Sequence, residues 1–241
     1  MSTRYTHQMK RKIAELSLVF LLFFFIPDVL FNSNTGTDSI TSEGELSPEF
    51  FIIYTLIVIP KILLFIYILM INGEGIQSFG FGAPKIRDAV WTFIAACAAW
   101  AVLIAGSNAV KLLQNLLPAN LQEMLFKEYD IVIREPVGLA LSAVFCVVVA
   151  YKEELFFRSY LYKRCLDFKF PETAAVLIPS LIFGMFHLAQ GWAGAVIAFL
   201  VGLFFQLVYQ KTRNLHVVAA SHFLYNFSLM IITYFGGTVA V

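Results

Sequence analysis

The stretch VGLALSAVFCVVVAYKEELFFRSYLYKRC, residues 137–165, decides the fold. Its first half is apolar or small. The chain then stays apolar and aromatic beyond Glu153 and Glu154, through LFF and YLY, until Lys163 and Arg164. A helix over about 137–163 exceeds the roughly 20 residues that cross a bilayer. At 1.5 Å per residue it sets Glu153 roughly 15 Å from the basic pair. That depth lies within hydrocarbon, where a charge costs at least about 2.5–3.5 kcal/mol. Two adjacent carboxylates there need partners or a purpose. Arg158, four residues after Glu154, shares its helix face and can pair with it. Glu153 points about 100° away and has no obvious local partner. An unpaired intramembrane carboxylate is a functional-site hypothesis by default.

Composition makes the rest of the chain match this stretch. Of 241 residues, 59% are hydrophobic and 14% charged, against about 45–50% and about 25% in soluble domains. The expectation is an all-α, polytopic transmembrane helical bundle of seven or eight spans, whose partner is the lipid bilayer. A net charge of +1 gives no reason to expect nucleic acid. Cys97, Cys146 and Cys165 are scattered, form no CxxC pair, and read as packing residues.

Apolar segments are expected at about 13–31, 50–72, 88–106, 137–163, 172–190, 192–210 and 215–235. Arg4, Lys10, Arg11 and Lys12 precede the first, which reads as an uncleaved helix. The loop 32–48 carries Asp38, Glu43 and Glu45 and no Lys or Arg. Basic residues return at Lys85 and Arg87, at Lys163, Arg164 and Lys169, and at Lys211 and Arg213. Their recurrence on alternate loops fits a cytosolic N-terminus by the positive-inside rule. Residues 109–133, interrupted by Pro118, read as an interfacial amphipathic helix or loop pair, or as an eighth span. In domain terms this gives a tail at 1–12, N-terminal helices at 13–136, a catalytic core at 137–235 and a tail at 236–241. Gly194, Ala198 and Gly202, at four-residue spacing, suit close helix packing.

Two further segments place polar groups at similar depth. In IPSLIFGMFHLAQG, His187 follows Phe183 by one turn. In LHVVAASHFLYNFS, His222 and Asn226 share a face at i, i+4. Each has a bland explanation: a packed histidine, a structural Glu–Arg pair, an asparagine bonded to a neighbouring helix, a core Phe183. Polar groups on three helices at one depth are harder to explain separately. Two chemistries are open. Glu153 could activate water as a general base with His187, while His222 and Asn226 donate to an oxyanion. Alternatively Glu153, His187 and His222 could ligate zinc with an open position, although no HExxH helix is present. Both lead to amide hydrolysis.

At these residues the sequence resembles the CPBP family of intramembrane proteases, the Abi-type CAAX proteases and bacteriocin-processing enzymes. EELFFR (Glu153–Arg158) is similar to its EExxxR motif, FGMFH (Phe183–His187) to its FxxxH, and HFLYN (His222–Asn226) to its HxxxN. The resemblance covers about 137–230, with all three motifs in order. It implies that Glu153 activates water with His187, that His222 and Asn226 form the oxyanion hole, and that Glu154 and Arg158 orient the helix. It implies no cofactor in CAAX-cleaving members, with zinc as the alternative. Ser159 stands where the family commonly has Gly, which bears on helix packing. The implied substrate is a membrane-associated or lipidated peptide or protein. The chain's brevity points to a bacterial cell membrane. The rival expectations are a non-catalytic scaffold or bacteriocin-immunity protein on the same fold, and a transporter using Glu153 as an ion site.

Overall fold

The computed structural model describes residues 2–22, 46–118, 121–122 and 132–236, with backbone alone for 2–8. Its helices are α1 (Ser2–Phe20), α2 (Pro48–Ile71), α3 (Ile86–Asn115), α4 (Pro136–Glu154), α5 (Tyr162–Asp167), α6 (Glu172–Met185), α7 (Gly191–Thr212) and α8 (Leu215–Tyr234). A π-helical segment, Leu155–Leu161, joins α4 to α5 without a break. Helices α2 and α4 both begin with proline at the first turn, where a missing N–H costs nothing. Asn214 caps α8 by accepting from the His216 N–H at 2.9 Å.

The architecture is an all-α bundle. Among the described residues four helical stretches are long and apolar enough to cross a membrane: Pro48–Ile71, Ile86–Asn115, Leu188–Thr212 and Leu215–Tyr234. That is fewer than the seven or eight expected: the first, fourth and fifth expected segments are not among them, the fourth because its α-helix ends in Lys152, Glu153 and Glu154 and passes into the π-helical segment. The first expected segment runs into residues 23–31, outside those described. The fifth ends at Met185 after 14 residues, roughly 21 Å at 1.5 Å per residue, against about 30 Å of hydrocarbon. The amphipathic reading of 109–133 is also corrected in part. Residues 109–115 are the end of α3, whose apolar periodicity continues past the expected boundary at 106. Residues 119–120 and 123–131 lie outside the description, as do 237–241 of the expected C-terminal tail. Residues 2–12 of the expected N-terminal tail are helical.

The loops carrying Lys85 and Arg87, Lys163 to Lys169, and Lys211 and Arg213 gather at one end. Arg164, fully buried, holds Glu15 (Nη2–Oε1 2.6 Å), Glu74 (Nη1–Oε1 3.0 Å) and Asp167 (Nη1–Oδ2 2.9 Å). Lys163 reaches Glu74 at 2.7 Å and Lys12 reaches Asp167 at 2.7 Å. Asn214 donates to Asp88 at 2.9 Å, and the Leu215 N–H donates to the Gly80 carbonyl at 2.9 Å. Loops expected to share one side of the membrane therefore share one end of the bundle. At the opposite end the Leu46 N–H meets the Val132 carbonyl at 2.9 Å.

Helices α6 and α7 approach closely because two glycines permit it. A Cβ on Gly184 would lie 2.8 Å from the Ala195 carbonyl oxygen and 2.8 Å from Phe199 Cβ. One on Gly202 would lie 2.8 Å from the Phe183 ring. Of the small-residue stripe, Gly202 is thus a point of close approach.

Two outcomes are expected. Gly184→Ala should lower stability by about 1–3 kcal/mol, the usual cost of overpacking, seen as a lower thermal midpoint in detergent. Gly82→Ala, whose Cβ would meet nothing within 4 Å, should be neutral within about 0.5 kcal/mol. Second, burial opposes ionisation of Glu74 and Asp167, but Lys163 and Arg164 on the first and Lys12 and Arg164 on the second outweigh it. Both carboxyls are held below their ordinary values of 4.5 and 3.8. A depressed folded-state value stabilises at pH above the ordinary value and loses that contribution as pH falls through the folded value. Thermal midpoints should be flat near neutrality and fall on acidification below about 4.5, with a shallower fall in Glu74→Gln.

Candidate active site

Glu153 and Glu154 are consecutive but sit in different surroundings. Glu154 is fully buried, with one oxygen in an ion pair and the other in a hydrogen bond. Oε2 lies 3.0 Å from Arg158 Nε, and Oε1 lies 2.7 Å from His222 Nδ1. One carboxylate thus ties the end of α4 to the π-helical segment and to α8. Glu153 is 15% exposed; its Oε1 is 3.6 Å from Lys152 Nζ and its Oε2 is 4.0 Å from His222 Nε2. The second distance exceeds a direct hydrogen bond. His222 therefore stands between the two glutamates, with one ring nitrogen toward each.

Aromatic rings frame this group. Phe205 stacks on His222 at 5.2 Å between centroids. Phe183 packs against His187 at 4.5 Å and lies 6.2 Å from the His222 ring. The Arg158 guanidinium rests on the Phe183 face at 4.2 Å from the centroid, a cation–π contact that supports a buried cation. Phe183 is thus packing, as the bland explanation had it, but packing that touches three of the polar side chains. Gly202 leaves room for it: a Cβ there would also lie 3.2 Å from Arg158 Nη2.

His187 does not lie mid-helix. The helix α6 stops at Met185, and His187 opens a short 3₁₀ turn, Leu188–Gln190, before α7. Its Nδ1 is 2.8 Å from the Phe183 carbonyl, so Nδ1 carries the donated hydrogen and Nε2 is left for other work. It is close enough to Glu153 and His222 for their charges to interact. The expected segment at 172–190 thus ends five residues early as an α-helix, and His187 lies in the turn that follows. Asn226 is half-buried, one turn beyond His222 on the same helix face.

Sequence reasoning missed three things here. Lys152 is buried, with Nζ 3.1 Å from the Tyr54 hydroxyl, so Glu153 has a local partner after all. Its position immediately before the glutamates was the available signal. Tyr54 comes from α2, in the half of the chain where no motif is visible. Ser159, the departure from the family pattern, donates to the Phe79 carbonyl at 2.6 Å and accepts from the Tyr209 hydroxyl at 3.2 Å. The hydroxyl is satisfied, so the substitution is accommodated.

Among the described residues no group of three or more His, Cys, Asp or Glu side chains is arranged to hold a metal ion. The histidine Nδ1 atoms are committed to Glu154 and to the Phe183 carbonyl, and Lys152 and Arg158 place two cations beside the carboxylates. Each histidine therefore keeps its Nε2 uncommitted.

Comparison with known families places the segment. Residues 135–228 match the family model described as Type II CAAX prenyl endopeptidase Rce1-like. That segment is similar to this family. It begins one residue before α4, ends within α8, and encloses every residue of the site except Tyr54. The family is one of membrane endopeptidases. No curated protein and no solved structure matches the chain.

The Glu154–Arg158 pair yields a stability test. Glu154→Gln leaves the Arg158 charge buried without its counter-ion, which should cost about 3–5 kcal/mol. Replacing both, as Glu154→Gln with Arg158→Met, should recover part of that loss. Thermal unfolding of the three purified variants measures both effects.

Proposed function

We propose that this protein is an intramembrane endopeptidase that hydrolyses peptide bonds of membrane-associated or lipidated substrates, using a water activated by Glu153. The observation that carries this reading is the unequal environment of the two glutamates. Pairs of titratable groups with divergent surroundings mark divided roles. Glu154 is consumed by Arg158 and His222. Glu153 is partly exposed, and its cationic partners lie beyond hydrogen-bond distance, Lys152 at 3.6 Å and His222 at 4.0 Å.

In the proposed step Glu153 takes a proton from that water as its oxygen attacks the scissile carbonyl carbon, and His187 Nε2 helps to hold the water. Negative charge develops on the carbonyl oxygen. His222, as an imidazolium that keeps both its protons throughout the step, donates Nδ1–H to Glu154 and Nε2–H to that oxyanion, with Asn226 as the second donor. Collapse breaks the C–N bond, and Glu153 returns its proton to the leaving amine. No step requires a metal ion. Glu154 and Arg158 act by fixing the ring of His222 and the end of α4.

The family description supports a prenylated CAAX-type end as the first substrate to try. A lipidated peptide can enter laterally from the bilayer while its polar end reaches Glu153. The cytosolic placement of the basic end, and hence of the N-terminus, belongs to the same proposal.

The test uses a quenched-fluorescent farnesylated peptide and its unlipidated twin with purified protein. Wild type should cleave the lipidated form and retain activity in chelator. Glu153→Gln should lose at least about 10³-fold, within the range of general-base removal. Loss of activity in chelator with recovery on added zinc would overturn the metal-free mechanism. Full activity in Glu153→Gln would overturn the assignment of Glu153.

A further inference from the structure

Lys152 is an expensive residue in its position. It is buried on a helix that borders membrane-depth surface, and its ammonium must be compensated there. Three groups do this. The Tyr54 hydroxyl lies 3.1 Å from Nζ, the Tyr54 ring lies beneath it at 5.5 Å from the centroid, and Glu153 Oε1 lies at 3.6 Å. Neighbouring residues on a helix point about 100° apart, so the lysine stem must curl toward Glu153 to reach it. Something has to hold it there.

Tyr54 is built to do so. Its ring packs edge-on against Phe145 at 5.1 Å and tilted against Phe50 at 5.9 Å. Phe145 is itself held by Phe51 at 5.4 Å. Phe145 lies seven residues before Lys152, two turns back on the same face of α4. The α2–α4 contact is thus an aromatic cluster that presents one hydroxyl to one ammonium.

Around Glu153 the charged and titratable groups are Lys152, Glu154, Arg158 and Cys146 on its own continuous helix, His222 from α8 and His187 from the turn after α6. Arg158 is already joined to Glu154. Lys152 is therefore the cation assigned to Glu153, paired with one carboxylate oxygen at 3.6 Å, an ion-pair rather than a hydrogen-bond distance. The other oxygen is left facing His222.

We infer that Lys152, anchored by Tyr54 of α2, is a positioning residue for Glu153: it holds Oε1 so that Oε2 points at the water and the histidines. This deepens the proposed function and rests on it. It also gives the N-terminal half, outside the matched family segment, a direct part in the site.

Two readouts test this. With the farnesylated peptide, Lys152→Met should lower kcat at least tenfold with KM changed less than twofold. Lys152→Arg should restore kcat to within about threefold of wild type, and Tyr54→Phe should fall between. The second readout does not depend on cleavage. The infrared carboxylate stretch of Glu153, assigned by its disappearance in Glu153→Gln, should move in Lys152→Met and stay near its original position in Lys152→Arg. An unmoved band in a folded Lys152→Met, or equal kcat in Lys152→Met and wild type, overturns the positioning role. If instead Glu153→Gln cleaves normally, the proposed protease mechanism fails, while the band shift still decides whether Lys152 holds Glu153.

Discussion

One buried carboxylate organises this protein. Glu154 has no contact with solvent, and hydrocarbon surrounds the bundle, so its charge must be met entirely by side chains. It is met by Arg158 four residues on and by His222 from the last described helix. That requirement draws α8 against the end of α4 and fixes the His222 ring. It also places Arg158 over Phe183 and thereby sets α6 and α7. Removing one partner leaves a charge with nowhere to go, which is why the cluster behaves as a unit.

In the proposed mechanism the arrangement separates two jobs that adjacent glutamates would otherwise share. Glu154 supplies order, and Glu153 meets the water. Division of this kind needs a difference in surroundings rather than in chemistry. The helix provides it by pointing the two side chains about 100° apart, one into the bundle and the other toward the histidines. The second charged centre, around Arg164, serves the bundle at its basic end. It gathers Glu15, Glu74 and Asp167 from three parts of the chain, which binds α1 to the C-terminal half.

What the sequence disclosed follows from periodicity and from spacing. The helical class and the boundaries of α2, α7 and α8 were legible because long apolar runs have one structural outcome in lipid. The pairing of Glu154 with Arg158 was legible because i, i+4 geometry is local. His187 was located by residue count, yet its setting was not: nothing in IPSLIFGMFHLAQG announces that the helix stops at Met185. The Lys152–Tyr54 contact joins residues 98 apart in sequence, and no local pattern reports such a distance. Ser159 looked like a loss of close packing. Its hydroxyl instead bridges Tyr209 and the Phe79 carbonyl, two groups whose proximity depends on tertiary structure.

The π-helical segment Leu155–Leu161 separates the two charged centres along one continuous helix. A π turn holds an extra residue relative to an α turn, so the segment acts as a phase adjuster between them. Deleting a single residue within 155–161 would let the segment close to α geometry and leave the flanking helices in nearly the same relative orientation, whereas a deletion within the α-helical part of α4 would turn everything beyond it by roughly 100°. The π segment is thus the place on this helix where the chain can change length by one residue without turning the Arg164 cluster away from Glu154.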